Sequence, residues 1–177
     1  EQSGGMALAN FDNDLATVLT ASGFVMKDEY QEIFRASIAD IIRWCNDTHT
    51  RMGTTSYYVT FNIGLAEGEL AKFLAFTFLD EFERAGDTVF KPNIVFKVVG
   101  GVNRFPEDRN YDLYRKALLC TAKKMIPTYL LCDSKPNQGI DPTKIAVMGC
   151  RTRVVADLFG ENSSVGRGNI DNVSINL

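Results

Sequence analysis

The sequence predicts an α/β protein. Three observations carry that reading. β-branched and aromatic runs recur along the chain, amphipathic stretches of helical length separate them, and the runs are apolar almost throughout. Strands alternating with helices of this length build a mostly parallel sheet joined by crossover helices. Near-continuous apolar strands are those covered on both faces, so the expected form is part of an α/β barrel.

Ala7 to Leu19 reads as the first helix, with Leu8, Phe11, Leu15, Val18 and Leu19 near one face and Ser22-Gly23 ending it. A longer helix is expected from about Lys27 to Cys45, where Tyr30, Ile33, Phe34, Ile38, Ile41 and Ile42 form the apolar stripe. The polar run Asn46 to Thr50 stops it. Tyr57 to Ile63 is β-branched and aromatic and reads as a strand. A helix from about Glu69 to Arg84 follows, ended by Gly86. Asn93 to Val99 is the second predicted strand. Asp108 or Asn110 can cap the next helix, Tyr111 to Met125, which stops before Pro127. Thr128 to Cys132, Ile145 to Met148 and Asn172 to Leu177 supply the remaining strands.

Composition narrows the function classes. The chain has 177 residues, enough for one domain that buries roughly 70% of its unfolded surface. Apolar residues make up 45% and charged residues 23%, with a net charge of −3. That balance argues against a general binder of nucleic acid or membrane surfaces. No apolar run approaches the ~20 residues that cross a bilayer, and no signal peptide opens the chain, so a cytoplasmic location is expected. The absence of an initiator methionine and the extended run at Asn176-Leu177 predict a piece of a longer protein. Cys45, Cys120, Cys132 and Cys150 show no CxxC or CxxH spacing, so no metal site is expected. The first three read as buried small hydrophobes.

Cys150 is different. It follows the apolar run Ile145-Ala146-Val147 in Met148-Gly149-Cys150-Arg151-Thr152-Arg153-Val154, and Gly166-Arg167-Gly168-Asn169 comes shortly after. Gly149 lets the backbone turn tightly and approach a ligand closely. Arg151 and Arg153 are cations able to favour a thiolate or bind a phosphate. The residues alone leave three readings open: a structural cysteine at a strand end, a nucleophile, or a redox or radical thiol. The nucleophile needs a base, and the single histidine, His49, lies in a polar connector. Asn169 is either a turn residue after Gly168 or a ligand-facing amide. Gly166-x-Gly168 lacks the third glycine of a dinucleotide fingerprint, and there is no GxxxxGK phosphate loop. Gln2 to Gly5 reads as a helix lead-in rather than a phosphate cradle, and Glu67, Glu69, Asp80, Glu81 and Glu83 as a solvated helix face.

Met148 to Val154 resembles the finger loop of the anaerobic, glycyl-radical class of ribonucleotide reductases. Gly166 to Asn169 and Val173 to Leu177 resemble the segment that follows it. Upstream, Phe96-Lys97-Val98, Gly101-Val102-Asn103, Pro106-Glu107-Asp108 and Asn110 to Leu113 are similar in identity and order, and Lys123-Lys124, Pro127 and Asp133 continue the register. Glu1 to Gly5 and Asn10-Phe11-Asp12 resemble the family's earlier helix. The similarity covers nearly the whole chain but only a central portion of a much longer catalytic subunit.

The resemblance implies a partial α/β barrel of the glycyl-radical enzyme type with a cysteine-bearing finger loop, spanning residues 1–177. It implies that Cys150 hosts a transient thiyl radical that takes the 3′-hydrogen of a ribonucleoside triphosphate. Asn169 would bind the ribose hydroxyls, and Gly149, Arg151 and Gly168 would contact substrate. No cofactor is expected within the chain. The parent enzyme would carry a glycyl radical installed by an S-adenosylmethionine-dependent iron–sulfur activase. It would draw on formate or a thiol system as reductant, bind nucleotide effectors such as ATP, hold a zinc site elsewhere and act as a homodimer in deoxyribonucleotide supply for DNA replication. The isolated 177 residues are expected to be inactive. Thr54-Thr55-Ser56-Tyr57-Tyr58, Met6 and the short stretch Gly160 to Ser164 depart from the family pattern, which bears on substrate fit. Another glycyl-radical enzyme of the pyruvate formate-lyase type is one alternative, against which Gly166 to Asn169 speaks. A non-catalytic remnant domain is the other.

Overall fold

The computed structural model describes residues 5–48, 58–149, 152–155, 159–160, 163 and 166–167. The chain runs β1 (Gly5–Leu8), α1 (Phe11–Ala21), a 3-10 turn at Asp28–Tyr30, α2 (Gln31–Asp47), β2 (Tyr58–Ile63), α3 (Gly68–Arg84), β3 (Asn93–Val98), α4 (Tyr111–Lys124) and β4 (Thr128–Leu131). A second 3-10 turn at Pro142–Lys144 then leads into β5 (Ala146–Met148) and β6 (Thr152–Val154).

Strands β1 to β4 form one parallel sheet in chain order, with Leu8 opposite Phe61, Phe61 opposite Ile94, and Phe96 opposite Tyr129. Strands β5 and β6 form a separate antiparallel pair, Val147 opposite Arg153. Among the described residues, the helices pack on one face of these consecutive parallel strands, the α/β arrangement that the sequence predicts. Helix α3 is the centre of that packing. Its Ala71, Leu74, Ala75, Phe78, Leu79 and Phe82 are fully buried at helical spacing, and each large side chain of this kind contributes about 1.5–3 kcal/mol by leaving water.

Two aromatic groups tie helices to strands. Phe11, Phe61 and Phe78 join α1, β2 and α3 with ring centroids 4.7, 4.9 and 5.3 Å apart. Phe96, Tyr114 and Tyr129 do the same for β3, α4 and β4. Such pairs add about 0.5–1.5 kcal/mol each beyond area burial.

The structure corrects the chain's opening. Gly5–Leu8 is a strand and α1 begins only at Phe11. Helical spacing of Leu8 with Phe11 and Leu15 is real, but pairing with β2 overrides it at Ala7 and Leu8. Gly5 suits that pairing, because a Cβ there would lie 2.9 Å from the Tyr58 carbonyl oxygen. Asp80, Glu81 and Glu83 are not a solvated face. Asp80 and Glu81 pair with Arg35 of α2, and Asp80 and Glu83 with Lys116 of α4, at 2.6–3.6 Å. Neither Asp108 nor Asn110 caps α4 through its side chain: Asp108 accepts from the Phe105 N–H, and Asn110 donates to the Ala66 carbonyl. The strand expected over Asn172 to Leu177 lies outside the described residues. Among the described residues, no helix is long and apolar enough to cross a membrane.

Gly64, which ends β2, has φ +114° and a would-be Cβ 2.9 Å from the Lys97 carbonyl oxygen. Replacing it with alanine is expected to destabilise the fold by about 2–3 kcal/mol, read as a shifted urea midpoint at unchanged slope.

Candidate active site

Alternation along β2 and β3 gives the sheet two unlike faces. Val59, Phe61, Ile63, Ile94, Phe96 and Val98 turn to the helices. Thr60, Asn62, Asn93, Val95 and Lys97 occupy the opposite face by the period of two, and Thr60, Asn62 and Lys97 are completely buried there. A buried polar side chain is tolerated only if its hydrogen bonds are made. Among the described residues, every buried side-chain nitrogen and oxygen has a partner.

Those partners belong largely to the segment before Cys150. Asn62 accepts from the Val147 N–H at 2.8 Å and donates to the Val147 carbonyl at 3.0 Å. Its amide also donates to the Leu8 carbonyl at 3.0 Å. The Val147 N–H demands an acceptor, so the orientation of the amide is fixed by its partners. Two residues on, the Gly149 carbonyl accepts from Asn93 Nδ2 at 2.6 Å and Thr60 Oγ1 at 3.2 Å. One edge of β5 therefore pairs with β6, and the other is completed by side chains of β2 and β3. Gly149 has φ +63°, and among the described residues a Cβ there would meet nothing within 4 Å. The glycine answers to backbone conformation, not to crowding.

A second buried polar group holds the approach to β5. Lys97 Nζ donates to Asn10 Oδ1 at 2.8 Å and to the Pro142 carbonyl at 2.9 Å. Asp12 accepts from the N–H groups of Gly64 and Asn13, at 2.9 and 3.0 Å. Burial dominates both titrations. It raises the Asp12 carboxyl to about 6, against the lowering effect of its backbone donors and Lys97. It lowers the Lys97 ammonium to about 8, against the nearby Cys132 and Asp12. Asn103 closes the same end of the sheet by donating to the Gly64 and Lys97 carbonyls and accepting from the Val99 N–H.

Where β1 ends against the β5–β6 pair there is a cleft of about 250 Å³, bordered by Leu8, Asp14, Met148, Val154 and Arg167 among others. Met148 and Arg167 flank, in sequence, the segments that carry the predicted site. Of the site residues read from sequence, Gly149 is described and lies on the Asn93–Thr60 clamp. Cys150, Arg151, Gly168 and Asn169 lie outside the described residues, as do His49 and Thr54 to Tyr57. Arg153 is not a free anion ligand: it donates to the Pro136 carbonyl at 2.8 Å and Asn137 Oδ1 at 2.6 Å. Cys45, Cys120 and Cys132 are buried free thiols, each raised by burial to about 11. They are inert hydrophobes, as expected. No group of three or more His, Cys, Asp or Glu among the described residues is arranged to hold a metal.

Sequence reasoning quoted Lys97, Asn10 and Asp12 without giving them work, and passed over Asn62, Asn93 and Thr60 as strand residues. The available signal was a lysine and two asparagines inside otherwise apolar strand runs. A charge in a strand covered on both faces requires a buried partner.

The geometry defines an α/β protein whose sheet clamps, on the face away from its helices, the strand that precedes Cys150 in the sequence. The sequence matches the family described as anaerobic ribonucleoside-triphosphate reductase over residues 1–177, and the chain belongs to that family. It is 32% identical to the anaerobic ribonucleoside-triphosphate reductase of Haemophilus influenzae over 137 residues, 75% of this chain and 19% of the relative. It is 30% identical to that of Escherichia coli over 138 residues, with the same coverage. Identity to the enzyme of Enterobacteria phage T4 is 37% over 98 residues, 53% of this chain and 16% of the relative. The chain therefore matches under a fifth of the length of these relatives.

The Asp12 carboxyl sets a pH signature. Its folded value lies above its ordinary 3.8, so between about pH 4 and 6 the folded chain holds a proton that the unfolded chain has lost. Stability from this group is fully present below pH 4 and declines as pH rises to 6. Asp12→Asn is expected to remove that part of the slope, checked by urea unfolding of both proteins across the window.

Proposed function

We propose that this chain is the central catalytic-barrel portion of an anaerobic ribonucleoside-triphosphate reductase and that Cys150 is its radical thiol. The observation that carries the reading is the family match through residues 1–177 together with the clamped strand end immediately before that cysteine. In this reading the Cys150 sulfur gives a hydrogen atom to a radical stored elsewhere in the enzyme. The resulting thiyl takes the 3′-hydrogen of the ribose and re-forms S–H. A sulfur-centred radical needs no base, which suits a chain with one histidine. It does need shelter from water and stray hydrogen donors. Asn169 would hold the ribose hydroxyls, because an amide both donates and accepts. Gly149, Arg151 and Gly168 would line the substrate, with the guanidinium answering phosphate charge.

The whole enzyme in this reading reduces ribonucleoside triphosphates with formate or a thiol system. It receives its glycyl radical from an S-adenosylmethionine-dependent iron–sulfur activase, binds ATP or other nucleotide effectors and a zinc ion outside these residues, and works in the cytoplasm as a homodimer. It supplies deoxyribonucleotides for DNA replication.

In the intact reductase, Cys150→Ser and Cys150→Ala are expected to lower deoxynucleotide formation by at least about 10³-fold while circular dichroism remains that of the parent. Retained turnover in either variant would overturn the assignment.

A further inference from the structure

We infer that Asn93 and Thr60 are positioning residues for the reaction at Cys150, acting through the backbone carbonyl of Gly149; the inference rests on the reading of Cys150 above. That carbonyl belongs to the peptide group joining Gly149 to Cys150, so a lateral shift there is passed directly to position 150. It accepts from two side-chain donors on different strands, at 2.6 Å from Asn93 and 3.2 Å from Thr60. Asn93 Nδ2 also reaches Thr60 Oγ1 at 3.4 Å, so the two donors brace each other. Asn62 holds Val147 from both its N–H and its carbonyl, which fixes the preceding turn of the pleat.

Strand pairing alone does not supply this. Among the described residues, the ladder with β6 runs as far as Met148 opposite Thr152. Gly149 has φ +63° and no side chain to pack, so nothing of its own fixes it. The last described point before the cysteine is therefore set by Asn93 and Thr60. Hydrogen abstraction demands close control of the distance between sulfur and the ribose carbon, and small misplacements lower the rate steeply. Substrate binding does not draw on these two donors, since both point at backbone.

The test is made in the intact, anaerobically activated enzyme. Asn93→Ala combined with Thr60→Val removes both donors while keeping the branched shape at position 60. Turnover is expected to fall about tenfold or more, with KM within about twofold and the EPR amplitude of the stored radical unchanged. Asn93→Ala combined with Thr60→Ser keeps a hydroxyl and loses a methyl, and should retain several times more turnover than the valine pair. Packing alone predicts the reverse order, because valine preserves volume and serine does not. Turnover of the valine pair within about twofold of the parent, or a serine pair no better than the valine pair, overturns the inference. If the double variants do not fold, Thr60→Val and Thr60→Ser are compared in the parent enzyme, with the same ordering required. Cys150→Ser runs alongside. Activity there removes the underlying reading, whereas inactivity there with an unaffected valine pair removes the positioning role alone.

Discussion

The amide of Asn62 is the contact on which the arrangement depends. It gives one acceptor and one donor to a single residue, Val147, and so presents to β5 what a neighbouring strand would present. A short strand paired on one side only leaves backbone groups that must find partners once buried. Here those partners come from side chains of a parallel sheet. The same amide reaches the Leu8 carbonyl, so β1, β2 and β5 meet at one side chain. Asn62 is completely buried, which makes each bond stronger and each omission costlier than at a surface.

The sheet behaves as a partition. Its helix side is apolar and aromatic, with Phe78 and Phe82 at the centre, and its rigidity comes from close packing. Its other side mixes Val95, Leu130, Cys132, Ile145 and Val147 with the buried amides and Lys97. Burying Lys97 and Asp12 costs desolvation, and the direction of both titrations records that cost. In return the ammonium ties α1 and the turn at Pro142–Lys144 to β3, which aims the chain toward β5. A hydrophobic residue at position 97 would fill space without aiming anything.

Much of this architecture was legible in the sequence because it follows from local pattern. The alternation of amphipathic and β-branched runs located α2, α3, α4 and β2 to β5 within a few residues. It misjudged β1, where four residues carry too little periodicity to compete with a long-range pairing partner, and it missed the three-residue β6 that pairs with β5. The ion pairs linking Arg35 and Lys116 to α3 were invisible because they depend on which helices become neighbours. The candidate site was legible in a different way. Cys150 stood out through the motif around it, whereas Asn62, Asn93 and Thr60 look like ordinary strand polar residues until β5 is brought across from far along the chain.

The side-chain completion of β5 also makes the length of this segment matter. Backbone groups of a strand alternate between its two edges, so adding or losing one residue between Ile145 and Gly149 would turn the wrong groups toward Asn62, Thr60 and Asn93. A side-chain amide cannot slide along to a new register as a neighbouring strand can. Within the stretch from the Pro142–Lys144 turn to Gly149, a change of length by one residue would therefore cost this chain the bonds from Asn62, Thr60 and Asn93.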